Sequence, residues 1–200
     1  MKKIIITQRQ DFNKKTYELT DSINIQLIRF VENLGYMPIL ISNSKKNLHI
    51  YLKDLMPNGI ILSGGGNAFK MDERTKIETE LIKYSIKKKI PLLGICRGAQ
   101  QINRFFNGAQ KKIANHVRKN HKIRFVNNFY NQIYVNSFHN YGFDKNSLSK
   151  NLKILGLSDD EIVEYFVHKK YKIFGIMWHP ERYKKTKTID IKIFHKIFKK

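Results

Sequence analysis

The chain has 200 residues, 42% of them apolar, which suits one domain over residues 1–200 with a sizeable core. No apolar run approaches the length of a membrane-spanning helix, and Met1-Lys2-Lys3 ahead of only Ile4-Ile5-Ile6 is too short for a secretion signal. Lys and Arg number 38 against 16 Asp and Glu, a formal net charge of +22, yet lysines are scattered through every segment and no helix-turn-helix, zinc-finger or RNA-recognition pattern is present, so nucleic acid is not the expected partner.

Taken in order, residues 2–7 read as a first strand and residues 8–19 as a polar loop. Thr20 or Asp21 is placed to cap a helix that carries Ile23, Leu27, Phe30 and Leu34 at helical spacing and stops at Gly35. Residues 37–42 form a second strand, residues 48–56 a short amphipathic helix, and Pro57-Asn58-Gly59 a turn that feeds the strand ending at Leu62. Residues 72–88 read as a long helix with Ile77, Leu81, Tyr84 and Ser85 toward the core. After Pro91 an apolar run reads as a buried strand, and from Arg97 onward Ala99, Ile102, Asn103 and Phe106 recur at helical spacing up to Asn107-Gly108. This alternation implies an α/β fold with a doubly wound, mostly parallel central sheet, whose ligand site lies beyond the carboxyl ends of the strands. From Lys111 the pattern shortens to strands at 122–126, 132–135, 152–157, 162–167 and 173–177, a smaller antiparallel section joined to the sheet. Residues 127–131 read as a polar turn, and a terminal helix is expected over 189–198.

Chemistry concentrates where the buried strand becomes a helix. Gly94 and Gly98 flank Cys96 in a Gly-x-Cys-x-Gly pattern, which permits a sharp turn and pushes the thiol out at the strand's end. There the free N–H groups and positive dipole end of the following helix favour a thiolate. A lone cysteine in an apolar segment is ordinarily just a small buried side chain, but two further features change that reading. The strand Phe174-Gly175-Ile176-Met177-Trp178 runs into His179-Pro180-Glu181-Arg182, so a base and an orienting carboxylate emerge together; with Cys96 they fill the three roles of a triad. Gly64-Gly65-Gly66 at the end of another strand presents bare N–H groups, and Gly65 with Arg97 supplies two donors for an oxyanion. As the only cysteine, Cys96 forms no internal disulfide and fits a reducing, cytoplasmic compartment. His116 and His121 stand five apart rather than at the helical i,i+4 spacing, and no cysteine or acidic partner completes a set, so no metal is expected, nor any cofactor.

In order and spacing, Leu62-Ser63-Gly64-Gly65-Gly66, Gly94-Ile95-Cys96-Arg97-Gly98-Ala99-Gln100, Val135-Asn136-Ser137-Phe138-His139 and Trp178-His179-Pro180-Glu181 resemble the class I glutamine amidotransferase superfamily, most of all its γ-glutamyl hydrolase branch. The resemblance implies a cysteine-dependent amide hydrolase without a fused synthetase. It implies Gly64 and Gly66 beside the oxyanion site, Gln100 on the glutamyl head, Ser137 and the Phe138 backbone on the α-carboxylate, and His139 next to that pocket. Ser137-Phe138-His139 leaves a second reading open, in which His139 merely bonds its own loop. A subset of the branch is similar in Thr7-Gln8-Arg9, Glu18 and Asp21, by which analogy Arg9 faces the site; an exposed loop arginine is the equal alternative.

This sequence departs from the family pattern at Ser63, Asn67, Asn140 and Tyr141, where proline, aspartate, histidine and glutamine are usual. These positions border the leaving group, not the triad. The leading expectation is hydrolysis of a small γ-glutamyl substrate, an anionic, nucleotide-linked glutamine conjugate, similar to the step in bacterial capsular phosphoramidate synthesis that frees glutamate and cytidine diphosphoramidate. A glutaminase subunit feeding ammonia to a separate synthetase is the first alternative, and a basic binding module without catalysis the second. The charge itself has two readings, a bias toward Lys, Asn and Ile or a field that attracts an anionic substrate. Self-association of the chain is compatible with all of them.

Overall fold

Alternation within one short strand sets the layers of the molecule. In β1 (Lys2–Thr7), Ile4 and Ile6 point to one face of a sheet, where they join Leu27 and Phe30 of α1 (Ile25–Asn33) and Phe194 and Ile197 of α5 (Thr188–Phe198). Ile5 points the other way, to Leu52 of α2 (Leu48–Leu55), Ile77 and Leu81 of α3 (Glu73–Lys88), and Ala99 and Ile102 of α4 (Arg97–Phe105). All three isoleucines are fully buried, each contributing about 1.5–3 kcal/mol by leaving water. The computed structural model describes residues 1–44, 46–66, 70–126 and 132–199.

Besides β1, the strands are β2 (Arg9–Asn13), β3 (Glu18–Ser22), β4 (Tyr36–Ile41), β5 (Gly59–Leu62), β6 (Leu92–Ile95), β7 (Lys111–Lys112), β8 (Val117–Phe125), β9 (Gln132–Phe138), β10 (Tyr141–Gly142), β11 (Leu152–Ser158), β12 (Val163–His168) and β13 (Ile173–Ile176). A nine-stranded sheet runs β4-β1-β5-β6-β13-β12-β11-β8-β9. Its first five strands pair in parallel and the remaining four antiparallel, so the doubly wound core and its antiparallel extension form one sheet. The carboxyl ends of β1, β5, β6 and β13 therefore share one edge, where the glycine turn, Cys96 and His179 follow their strands.

The structure corrects the reading of residues 8–19, which are not a loop. β2 and β3 form a separate two-stranded hairpin registered from Arg9 opposite Ser22 to Asn13 opposite Glu18. Thr20 and Asp21 lie in β3, so neither caps α1; the cap is Asn24, whose side chain accepts from the Gln26 N–H at 3.0 Å. Asp21 instead accepts from Ser42 Oγ and from the Asn43 backbone and side-chain nitrogens, tying the hairpin to the end of β4. β8 starts five residues earlier than expected, at Val117, because its pairing with β9 extends past the apolar part of the sequence. The turn expected over 127–131 lies outside the described residues, as does Asn67.

α4 packs against the sheet at backbone range. A Cβ on Gly98 would sit 2.1 Å from the carbonyl oxygen of Leu62 in β5, with no flexible side chain between them to give way. Gly98→Ala is expected to destabilise the protein by at least about 1–3 kcal/mol, read as a lowered urea midpoint. An unchanged midpoint would contradict this packing.

Candidate active site

Cys96 occupies the corner between β6 and α4 with φ 50° and ψ −105°, a left-handed backbone that costs a non-glycine residue about 1–3 kcal/mol. Its neighbours over-determine the corner. The Cys96 N–H donates to the Ile176 carbonyl of β13 at 2.7 Å, and its own carbonyl accepts the first helical bond from Gln100 at 3.0 Å. The thiol is 6% exposed at the amino end of the helix.

His179 follows β13 and lines the same cavity as Cys96. On the other side Nδ1 of His179 lies 2.7 Å from Oε1 of Glu181, so the carboxylate fixes the ring and leaves Nε2 for the thiol. The backbone is clamped as well: the His179 N–H donates to Asn136 Oδ1 and its carbonyl accepts from Asn136 Nδ2, both at 2.8 Å. Burial alone would push the imidazole down, but the Cys96 charge and hydrogen bond, then Glu181, outweigh it and carry the pKa up to about 9. The imidazole is therefore held toward its charged form beside the thiol.

The glycine turn is set from beneath by a buried arginine. Arg74 donates from NH1 to the Gly65 carbonyl at 2.7 Å and from NH2 to the carbonyls of Ser63 and Gly64 at 2.6 and 3.3 Å. In a trans peptide the carbonyl and the next N–H point opposite ways, so the Gly65 and Gly66 N–H groups face away from Arg74. Gly65 and Gly66 hold φ +81° and +82°, which glycine adopts without a Cβ penalty. Glu78 completes this layer, accepting from Thr7 Oγ1, Arg74 Nε and the Arg97 guanidinium while fully buried.

A cavity of about 440 Å³ opens on these groups, lined by Gly65, Gly66, Cys96, Arg97, Gln100, Phe138, His139 and His179, with Arg118, Arg182, Val117, Asn140 and Tyr141 around it. Most of the expected residues thus meet in one place. Gln100 lines it while donating from Nε2 to the Tyr141 carbonyl at 2.8 Å. Phe138 sets its ring edge against His179 and carries the Arg182 guanidinium 4.3 Å over its face. Four residues fall outside that lining, among them Glu181, which lies behind His179. Ser137 is fully buried and gives its hydroxyl to the His116 carbonyl; Gly64 lies against the His179 ring; and Arg9, paired with Asp11 at 2.8 Å and half exposed, borders a small recess behind the glycine turn with His179 and Glu181.

Sequence reasoning missed Arg74 and Glu78, whose i,i+4 spacing on a helix is indistinguishable from an ordinary surface ion pair. It missed Asn136 as the clamp on His179, although that residue sits inside a motif singled out for its neighbours. It also found no acidic partner for His116 and His121, whereas the fold brings buried Glu164 of β12 to both. No helix among the described residues is long and apolar enough to cross a membrane.

A model of the class-I glutamine amidotransferase family matches residues 16–199. The γ-glutamyl-CDP-amidate hydrolase of Campylobacter jejuni is 39% identical over 147 residues, 70% of either chain. Anthranilate synthase component 2 of Cyanophora paradoxa is 31% identical over 170 residues, 80% of this chain and 86% of its own. A Thermoplasma acidophilum protein provisionally described as a GMP synthase component shares the fold with a TM-score of 0.72 at 23% identity, covering 99% of this chain and 92% of its own.

Two measurements check the geometry. Glu78→Ala leaves two buried guanidinium groups without their carboxylate, and a loss of about 3–5 kcal/mol is expected in urea unfolding. Because the folded pKa of His179 is raised, its stabilisation is complete below about pH 6.5 and is lost as pH rises through about 9. His179→Gln should therefore cost stability at about pH 6 and little at about pH 10, and an equal cost at both would refute the assignment.

Proposed function

Since the chain belongs to the class-I glutamine amidotransferase family and is an enzyme of its amide-hydrolysing kind, we propose that it cleaves the γ-glutamyl amide bond of an anionic, nucleotide-linked glutamine conjugate through a cysteine thioester. The substrate named by the Campylobacter relative, γ-glutamyl-CDP-amidate, heads the candidates, with L-glutamate and cytidine diphosphoramidate as products. The observation that carries this reading is the meeting of Cys96 and His179, the latter held by Glu181, in a cavity lined also by Arg118 and Arg182.

The steps follow from those atoms. Cys96 Sγ attacks the γ-carbonyl carbon, and the oxygen, now negative, is met by the Gly65 and Arg97 N–H groups; one such donor is worth about 10²–10³ in rate. The protonated His179 gives its Nε2 proton to the leaving nitrogen, and the tetrahedral centre collapses to a γ-glutamyl thioester. His179, oriented by Glu181, then takes a proton from water, which attacks the thioester and returns the thiolate with release of glutamate. Gln100 and the Phe138-His139 segment border the glutamyl head, and Gly66 stands at the oxyanion side. Arg118 and Arg182 offer two cations to a diphosphate on the leaving group, and guanidinium forks suit phosphate oxygens.

The similarity to anthranilate synthase component 2, which spans more of this chain, favours a second reading: a glutaminase subunit that passes ammonia to a synthetase. Glutamate release from free glutamine, γ-glutamyl amines and γ-glutamyl-CDP-amidate, without any partner, separates the two. Under the first reading the nucleotide conjugate turns over far faster than glutamine, and Cys96→Ala lowers the rate at least about 10³-fold. Arg118→Ala is expected to raise KM for the conjugate at least about tenfold while leaving glutamine unaffected, since a charged hydrogen bond is worth about 1.5–3 kcal/mol. Wild type and Cys96→Ala equally inert on every substrate would sink the autonomous hydrolase and turn attention to the partnered form.

A further inference from the structure

In the antiparallel half of the sheet one buried carboxylate gathers three imidazoles. Oε1 of Glu164 lies 3.4 Å from His116 Nδ1, 3.2 Å from His121 Nε2 and 3.4 Å from His139 Nε2. The ligand atoms of His116, His121 and Glu164 all fall within 4.8 Å of one another. The geometry points to a zinc-binding site formed by His116, His121 and Glu164, with His139 beside the fourth position.

At 3.2–3.4 Å these contacts are longer than strong charged bonds, and none aligns an N–H with the carboxylate. Charged N–H to carboxylate bonds close to about 2.7–2.9 Å. Both oxygens of Glu164, both nitrogens of His121, His116 Nδ1 and His139 Nε2 are buried without a hydrogen-bond partner among the described residues. Glu164 is fully buried, and a carboxylate taken out of water without such bonds needs a cation. The spacing fits a metal as well. Zinc bound at about 2.0–2.1 Å to nitrogen and oxygen puts tetrahedral ligand atoms about 3.3–3.4 Å apart, close to the separations between Glu164 and its imidazoles.

The outer atoms of the rings agree with this. His116 Nε2 lies 3.0 Å from Asp160 Oδ2, and His139 Nδ1 lies 3.1 Å from the Tyr141 carbonyl oxygen. A carbonyl oxygen only accepts, so His139 carries a proton on Nδ1, and the carboxylate favours one on His116 Nε2. Were the rings neutral in this orientation, their lone pairs would face Glu164, so the site calls for a cation at its centre, which a metal ion supplies in place of an added proton. This carboxylate–histidine arrangement is how ligating imidazoles are held, and an imidazole–carboxylate donor set suits zinc. The ligands come from the residue before β8, from β8 and from β12, while His139 follows β9 and lines the cavity. A bound ion would pin that wall of the pocket as a structural centre; the inference stands whether or not the proposed substrate is right.

The test is a titration of chelator-treated protein with zinc chloride alone, followed by calorimetry in a Cys96→Ala background, so that the thiol contributes nothing. One zinc per chain is expected, with affinity reduced at least about 100-fold in His121→Asn and in Glu164→Gln, beyond the about 10–100-fold of an outer-shell change. His121 is 16% exposed in its side chain, which keeps that variant tolerable to the fold, and circular dichroism checks both. Cobalt(II) in the same site should give tetrahedral visible bands without a thiolate charge-transfer band. Absence of saturable zinc binding in the Cys96→Ala protein, or unchanged affinity in folded His121→Asn, would overturn the site and leave protons shared among the three rings.

Discussion

The carboxylate of Glu78 is the constraint on which the head of the sheet depends. It is fully buried and is met by Thr7 at the end of β1, Arg74 in the first turn of α3 and Arg97 in the first turn of α4. One negative charge thus joins three elements, with α3 and α4 held together further by bonds from Arg97 to Thr75 and from Gln101 to Thr79. Arg74 spends its remaining donors on the carbonyls of Ser63, Gly64 and Gly65, so the direction of the glycine turn is inherited from Glu78. Taking these charges from water costs several kcal/mol per ion, and an apolar replacement of equal volume could be as stable. What the ionic layer supplies is direction, since a leucine would leave the turn free to flip its peptides.

The two halves of the sheet contribute different things to the cavity. The parallel half supplies Cys96, His179 and the glycine turn at strand ends, and the antiparallel half supplies a wall through Phe138 and the following His139, continued by Tyr141 of the separate β7–β10 pair. Gln100 bridges them, rooted in α4 and bonded to the Tyr141 carbonyl. Asn136 does the same from β9 by holding the backbone of His179 at both its N–H and its carbonyl. A shift of β9 would therefore reach the imidazole without touching the substrate. The formal charge of +22 acts on a coarser scale. Beyond a screening length of about 8 Å at physiological salt, scattered lysines act only as a diffuse field, whereas Arg118 and Arg182 stand at the cavity itself.

Much of this was legible from residue order because it is local. The apolar runs of β1, β5, β6 and β13 announce buried parallel strands, and the glycines around Cys96 announce the corner. The hairpin of β2 and β3 was not legible, since Phe12 and Leu19 remain largely exposed and its strands are joined by backbone pairing that leaves no apolar stripe. Arg74 and Glu78 were hidden because charged residues on a helix normally mark its wet face. The histidine cluster was hidden because its members come from separate places along the chain and meet only when β12 enters the sheet. In each case the missing information was tertiary: a contact partner distant in sequence overrode the local pattern.

The pairing of β6 with β13 has a consequence for how the protein is made. In register, Ile95 lies opposite Ile176, and Cys96 bonds to Ile176 itself. Between those strands in sequence lie β7 to β12, so a growing chain exposes the edge of β6 and its one thiol long before the imidazole has been synthesised. Non-local pairing of this kind is slow, and an unpaired parallel edge invites association. The delay also means that His179 and Glu181 reach the thiol only with the strand that closes the sheet. The meeting of these three groups is thereby a property of the finished molecule rather than of the nascent one.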